Sequence, residues 1–194
     1  MVAPSEFRAF VDAYYDRFIE VLRSFDRSAL DGVLGVFETV GRNAGTLWVA
    51  GNGGSASISD HTVCDTSKGT HVEGVPPIRS ISLASNNAMI TALGNDIGYD
   101  DIFSRQLAYY VKPGDALLVV SSSGNSPNVV RACEFAKQRG IPTVAFTGFK
   151  GGKLSEIADH VVWVPVENYG MSEDTHQSLM HVLTQYLSHT RAAR

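Results

Sequence analysis

A chain of 194 residues, 44% hydrophobic and 19% charged, is long enough for one α/β domain with a real core and short for two. A formal net charge of −4 argues against nucleic acid or an anionic membrane as partner, and no run approaches the ~20 apolar residues that span a bilayer. The first residues lack a basic segment followed by an apolar one, and two cysteines, Cys64 and Cys133, cannot build a disulfide framework, so the reading is a cytoplasmic protein.

In chain order, Phe7, Phe10, Val11, Tyr14, Phe18, Val21 and Leu22 recur at three- and four-residue steps and predict an amphipathic helix. A second helix is expected over 28–42, with Leu30, Val33, Leu34 and Phe37 inward. The pattern then changes. Strands are predicted at 46–50, 78–83, 116–120, 143–146 and 160–164. Helices alternate with them at 55–67, 87–93, 102–110, 127–139, 152–158 and 172–192. Residues 69–77, with Pro76-Pro77, read as a loop. Alternation implies parallel pairing, and Leu117-Leu118-Val119-Val120 is apolar on both faces, as a helix-covered strand should be. The predicted fold is α/β: one doubly wound, Rossmann- or flavodoxin-like domain over 1–194. Five parallel strands form its sheet, with a helical hairpin over 1–43 in front of the core at 44–194.

Two loops look built for phosphate. Gly51-Asn52-Gly53-Gly54-Ser55 and Ser121-Ser122-Ser123-Gly124-Asn125-Ser126 each follow a strand and precede a helix. Glycines admit the anion to the backbone, hydroxyls donate to its oxygens, and a helix N-terminus adds free N–H groups. The first loop also matches G-x-G-x-x-A, but the next strand ends in Leu83-Ala84-Ser85-Asn86-Asn87, without the acidic residue that would hold a ribose. A dinucleotide is therefore discounted. In the second loop, helix capping would account for Ser126 ahead of Pro127, and the other three serines are left for a ligand.

His61 and Asp65 lie four apart on one helix, and Glu173, Gln177 and His181 follow the same step on the last. Two histidines and two carboxylates would suit Zn²⁺ or another divalent ion. His176 and His189 are rivals for His181, which the stripe prefers. Gly94-Asn95-Asp96 reads as a turn or as a sugar-facing carboxylate, and Gly148–Gly152 with Lys150 and Lys153 reads as a phosphate contact or, in preference, a strand-to-helix turn with solvated lysines.

Taken together, these runs resemble the sugar isomerase (SIS) family, and within it the phosphoheptose isomerases. Asp101-Ile102-Phe103-Ser104-Arg105 and Thr147-Gly148-Phe149-Lys150-Gly151-Gly152-Lys153 add to the likeness, which extends over nearly the whole chain. The resemblance implies that Asn52, Gly53, Gly54 and Ser55 shape a sugar-phosphate loop. It implies that Ser121, Ser122, Ser123 and Ser126 hold phosphate, with Ser122 standing where the family usually has Thr. Asn95 and Asp96 would contact the sugar. His61, Asp65, Glu173 and His181 match four zinc-ligand positions, with Asp65 and Glu173 replacing the family's Glu and Gln. Asp65 and Glu173 would also face substrate. The expected activity is isomerisation of sedoheptulose 7-phosphate through an enediol, with Asp65 and His181 moving protons beside the cation. A homotetramer with sites at subunit interfaces is the family expectation. Two alternatives stand beside it: an isomerase of another phosphosugar, which Asp65 and Glu173 motivate, and a non-catalytic SIS protein that binds the replication initiator.

Overall fold

The computed structural model describes residues 6–193. The reading that no leader is present rests on residues 1–5, which lie outside the described residues. Helices α1 (Phe7–Ser24) and α2 (Ala29–Arg42) precede strand β1 (Leu47–Gly51) and helix α3 (Gly54–Cys64). Then come β2 (Ser80–Ser82), α4 (Asn87–Asp96), α5 (Ile102–Tyr110), β3 (Ala116–Ser121) and α6 (Pro127–Gln138). The chain closes with β4 (Thr143–Thr147), α7 (Gly152–Ile157), β5 (His160–Trp163) and α8 (Tyr169–Ala192).

All five strands pair in parallel, in the order β2-β1-β3-β4-β5. The doubly wound sheet expected from the alternation is therefore present. Its chain direction reverses between β1 and β3, and in such sheets the crevice beyond the carboxyl ends of those two strands receives the ligand. Register makes this concrete. Gly51, the last residue of β1, pairs with Val120, and β3 runs one residue further to Ser121, so the two Gly/Ser loops leave the sheet side by side.

Helices cover both faces. On one side Val33, Phe37 and Val40 of α2 and Leu179, Met180 and Leu183 of α8 pack on Val49, Leu118 and Phe146. On the other, Phe103 and Leu107 of α5 and Val129, Ala132 and Ala136 of α6 pack on Ala50, Leu117 and Ala145. Both clusters are nearly fully buried, the burial that stabilises a sheet of this kind at about 25 cal/mol per Å² of apolar surface.

Differences from the predicted elements have local causes. β2 is shorter than 78–83 because it is an edge strand entered from Pro76-Pro77, which has no N–H to give a ladder. α8 starts before 172 because Asn168 caps it, accepting from Met171 N at 3.0 Å. Asn86 does the same for α4. The helix expected over 55–67 stops being α-helical at Cys64 and passes into a π-helical turn over Asp65–Gly69, an irregularity frequent at functional sites. The apolar stripe of α1 is only partly covered: Val21 is buried, whereas Phe7 and Phe10 remain 82% and 44% exposed.

Candidate active site

The first loop is tied to the second by an amide pair. Asn52 Nδ2 donates to Asn128 Oδ1, Asn128 Nδ2 donates to Asn52 Oδ1, both at 2.8 Å, and Tyr99 donates its hydroxyl to Asn52 Oδ1 at 3.1 Å. Asn52 thus braces the cradle. Gly53, at φ +55°, makes the bend into α3 that side-chain-bearing residues rarely adopt. Ser55 is buried in the first turn of α3. A Cβ built on Gly54 would lie 2.2 Å from Glu173 Oε2, so the carboxylate of Glu173 rests on the loop itself. Burial, and then the neighbouring charge of Asp174, push the Glu173 pKa up.

In the second loop Ser121 Oγ accepts from Gly124 N at 3.2 Å and Ser123 Oγ from Asn125 N at 3.3 Å. Ser122 Oγ is buried with no hydrogen-bond partner among the described residues. Ser126 occupies the N-cap position of α6, yet its hydroxyl caps nothing. A local competitor is present: the N–H of Val129, at the third helical position where a cap would bond, is taken by Asn128 Oδ1 at 3.0 Å. The hydroxyl that capping seemed to explain is available to a ligand. The β4–α7 turn supports this loop from behind, with Leu154 N donating to Gly124 O and Lys153 N to Asn125 Oδ1. Lys150 and Lys153 point to Glu167 and Glu156, as expected of solvated lysines.

At the far end of α3, His61 and Asp65 meet His181 of α8. His61 Nε2 lies 3.3 Å from Asp65 Oδ1 and 3.3 Å from His181 Nε2, which is 3.5 Å from Asp65 Oδ2. The three donor atoms fall within 4.8 Å of one another. Asp65 Oδ2 is buried and accepts no hydrogen bond among the described residues, a cost that a cation would remove. Two imidazoles and a carboxylate are a donor set suited to Zn²⁺. These residues fit a divalent ion. Glu173 lies outside the trio, at Gly54, whereas Gln177 joins it with Nε2 3.1 Å from His181 Nε2. His181 is the one α8 histidine in the group; His176 is fully buried and His189 is exposed.

Asn95 and Asp96 are the last residues of α4 rather than a free turn, and Asn95 Nδ2 donates to Asp96 Oδ1 at 2.8 Å. No hydrogen bond joins either of them to the loops or the histidines among the described residues. Two residues escaped the sequence reading altogether. Asn128 and Tyr99 brace Asn52 from elements 76 and 47 positions away, and no local pattern announces such pairings.

A doubly wound parallel sheet with two Gly/Ser loops side by side at its switch point is the ligand-binding architecture of the open α/β class. A family model described as the SIS domain matches residues 13–148, and the chain belongs to that family. It is 35% identical over 178 residues to a phosphoheptose isomerase of Rhodospirillum rubrum, covering 92% of this chain and 93% of that one. Among solved structures, phosphoheptose isomerase from Neisseria gonorrhoeae superposes with a TM-score of 0.87 at 25% identity, covering 95% of this chain and all of that one. The enzyme from Francisella tularensis gives 0.84 at 29% identity, over 92% and 96% of the two chains.

Proposed function

We propose that the chain is an aldose–ketose isomerase converting sedoheptulose 7-phosphate into D-glycero-D-manno-heptose 7-phosphate. The observation that carries this reading is that α3 starts in a phosphate-type loop and ends at an acid–base cluster. The rise from Gly54 to His61 is about 10 Å, a span an open-chain sugar phosphate can bridge. Likeness to named phosphoheptose isomerases over nine-tenths of both chains supports the same substrate.

In this reading Ser121, Ser122, Ser123 and Ser126 hold the phosphate. Asn52, Gly53, Gly54 and Ser55 form the opposite wall, Glu173 faces the sugar from Gly54, and Asn95 and Asp96 at the end of α4 contact the sugar. Asp65 and His181 move the protons, a role that alternates with ligation because a group bound to the cation is a poorer base: one proton leaves C1, one is added at C2, and the hydroxyl hydrogen passes from O1 to O2. When bound, a divalent cation, which we take to be Zn²⁺, supplies Lewis-acid polarisation of the sugar carbonyl. His61, Asp65 and His181 would hold it.

A homotetramer belongs to the reading and is supported by the exposed Phe7, Phe10, Tyr15 and Ile19 on α1. A cytoplasmic setting is supported by two unbridged cysteines, Cys64 and Cys133. Among the described residues no helix is long and apolar enough to cross a membrane.

The test is a proton NMR time course with sedoheptulose 7-phosphate in D₂O, with and without Zn²⁺. Aldose product carrying deuterium at C2, lost in His181→Ala, is the expected result. No turnover with any divalent ion overturns the heptose assignment; a screen of other ketose phosphates then separates an isomerase of another phosphosugar from the non-catalytic reading.

A further inference from the structure

Glu173 occupies the position where the resemblance places the fourth zinc ligand, but its carboxylate packs on Gly54. One turn further along the same stripe of α8, Gln177 stands against His181. From His181 Nε2 the distances to Gln177 Nε2, His61 Nε2 and Asp65 Oδ2 are 3.1, 3.3 and 3.5 Å. A tetrahedron with metal–ligand bonds near 2.1 Å has edges of about 3.4 Å. Three side chains therefore stand about one tetrahedral edge from His181, and Glu173 is not among the groups that gather with His61, Asp65 and His181.

The carboxamide end is the remaining point of chemistry. An amide nitrogen has no lone pair to give, whereas its oxygen is a hard donor. Rotating the amide plane by 180° exchanges the two at almost unchanged heavy-atom positions. With His181 Nε2 committed to a cation, the –NH₂ of Gln177 loses its acceptor, and the oxygen-inward orientation becomes the satisfied one.

We propose that the divalent-cation site of this chain is His61–Asp65–Gln177–His181, with Glu173 outside the ligand set and retained in the sugar loop. This rests on the metal-assisted form of the isomerase reading, and deepens it. The exchange moves a negative charge off the cation and onto the wall of the sugar cradle.

The experiment measures Zn²⁺ affinity of the metal-free full chain by competition with a chromophoric chelator, and the visible absorption of its Co²⁺ form. Gln177→Ala is expected to weaken Zn²⁺ binding at least about tenfold and to lower the intensity of the tetrahedral Co²⁺ bands. Gln177→Glu, which restores an oxygen donor, should recover the affinity. Glu173→Gln and Glu173→Ala should leave both readouts within about threefold while impairing turnover. Should Gln177→Ala fail to fold, Gln177→Glu and the two Glu173 variants decide the question through their Co²⁺ spectra. Loss of affinity in Glu173→Ala with Gln177→Ala unchanged overturns the assignment, as does a wild-type chain that binds neither ion. Turnover of sedoheptulose 7-phosphate is scored separately: a chain that binds Zn²⁺ through Gln177 without isomerising the sugar sinks the substrate reading alone.

Discussion

Asn52 and Asn128 donate to each other's carboxamide oxygens at 2.8 Å, joining the loop after β1 to the first turn of α6. Two partly buried hydrogen bonds thus fix the separation of the two walls of the cradle. In the proposed isomerase reading one wall holds the phosphate and the other faces the sugar, so binding depends on that separation.

Asn128→Ala removes both bonds and leaves Asn52 with only the Tyr99 hydroxyl. The expected cost is about 1–3 kcal/mol of stability, with KM for the sugar phosphate rising more than kcat falls. Asn128→Asp keeps the acceptor for Asn52 Nδ2 but places a negative charge at the phosphate wall, so its KM should rise further. Urea unfolding and steady-state kinetics read both effects. Unchanged KM in both variants would show that the pair does not set the cradle.

Gly54 and Glu173 give a cleaner separation of site from fold. The Cβ of Gly54→Ala would meet Glu173 Oε2 at 2.2 Å, the far end of a flexible side chain, so the carboxylate moves and the backbone does not. Alanine in the first turn of α3 costs the fold nothing and can add up to about 1 kcal/mol. Displacing Glu173 should instead lower kcat/KM on the order of ten- to hundredfold. The loss should be absent from a second introduction of Gly54→Ala into Glu173→Ala, where nothing remains to displace. Additive losses in that cycle would contradict the placement of Glu173 at the sugar.

Gly124 differs because both its conformation and its surroundings forbid a side chain. It sits at φ +66°, and a Cβ there would lie 2.0 Å from the backbone oxygen of Gly151. The atoms it would meet belong to the backbone of Gly151 and Gly152 and are not movable side-chain ends. Gly124→Ala should therefore cost about 1–3 kcal/mol and pull the serine loop off the β4–α7 turn. A thermal melt and the inhibition constant of inorganic phosphate would show both; a variant as stable as the parent would refute the tight packing of these two turns.

The legible parts of this molecule were those whose cause is local. Each strand is a short apolar run between helices, and the two Gly/Ser loops announce themselves by composition at strand ends. His61, Asp65 and His181 could be paired from a four-residue step on each of two helices, and the structure brings their donor atoms together. Position along a stripe does not say which member of it reaches the partner helix. Glu173 and Gln177 share one face of α8, and the place where α3 crosses it decides that Gln177 meets His181 while Glu173 meets Gly54. Ser126 shows the same limit from the other side. Its sequence context is that of a helix cap, but Asn128 takes the N–H it would have bonded. The burial of the Ser122 and Ser172 hydroxyls is likewise set by packing between β3, β4 and α8, at Gly148, and not by their neighbours in the chain.

His176 makes the acid limb of stability predictable. It is fully buried, tilted against Phe146 at 6.0 Å between ring centroids, with neither ring nitrogen in a hydrogen bond of good geometry among the described residues. Burial pushes its pKa down from 6.5 to about 4, while a contact with the Thr147 backbone works weakly the other way. The folded protein therefore keeps this imidazole neutral where the unfolded chain has begun to take up a proton. Above pH 6.5 the group makes no difference. As pH falls from 6.5 to about 4, stability drops by about 1.4 kcal/mol per unit, and below the folded pKa the loss is complete. His176→Leu removes that proton uptake and fills the same apolar space. Its unfolding free energy, measured in urea at pH 7, 6 and 5, should fall less steeply than that of the parent by close to one proton. The five other histidines are common to both chains and cancel in the difference. Parallel curves would mean that His176 is protonated, or solvated, in the folded protein.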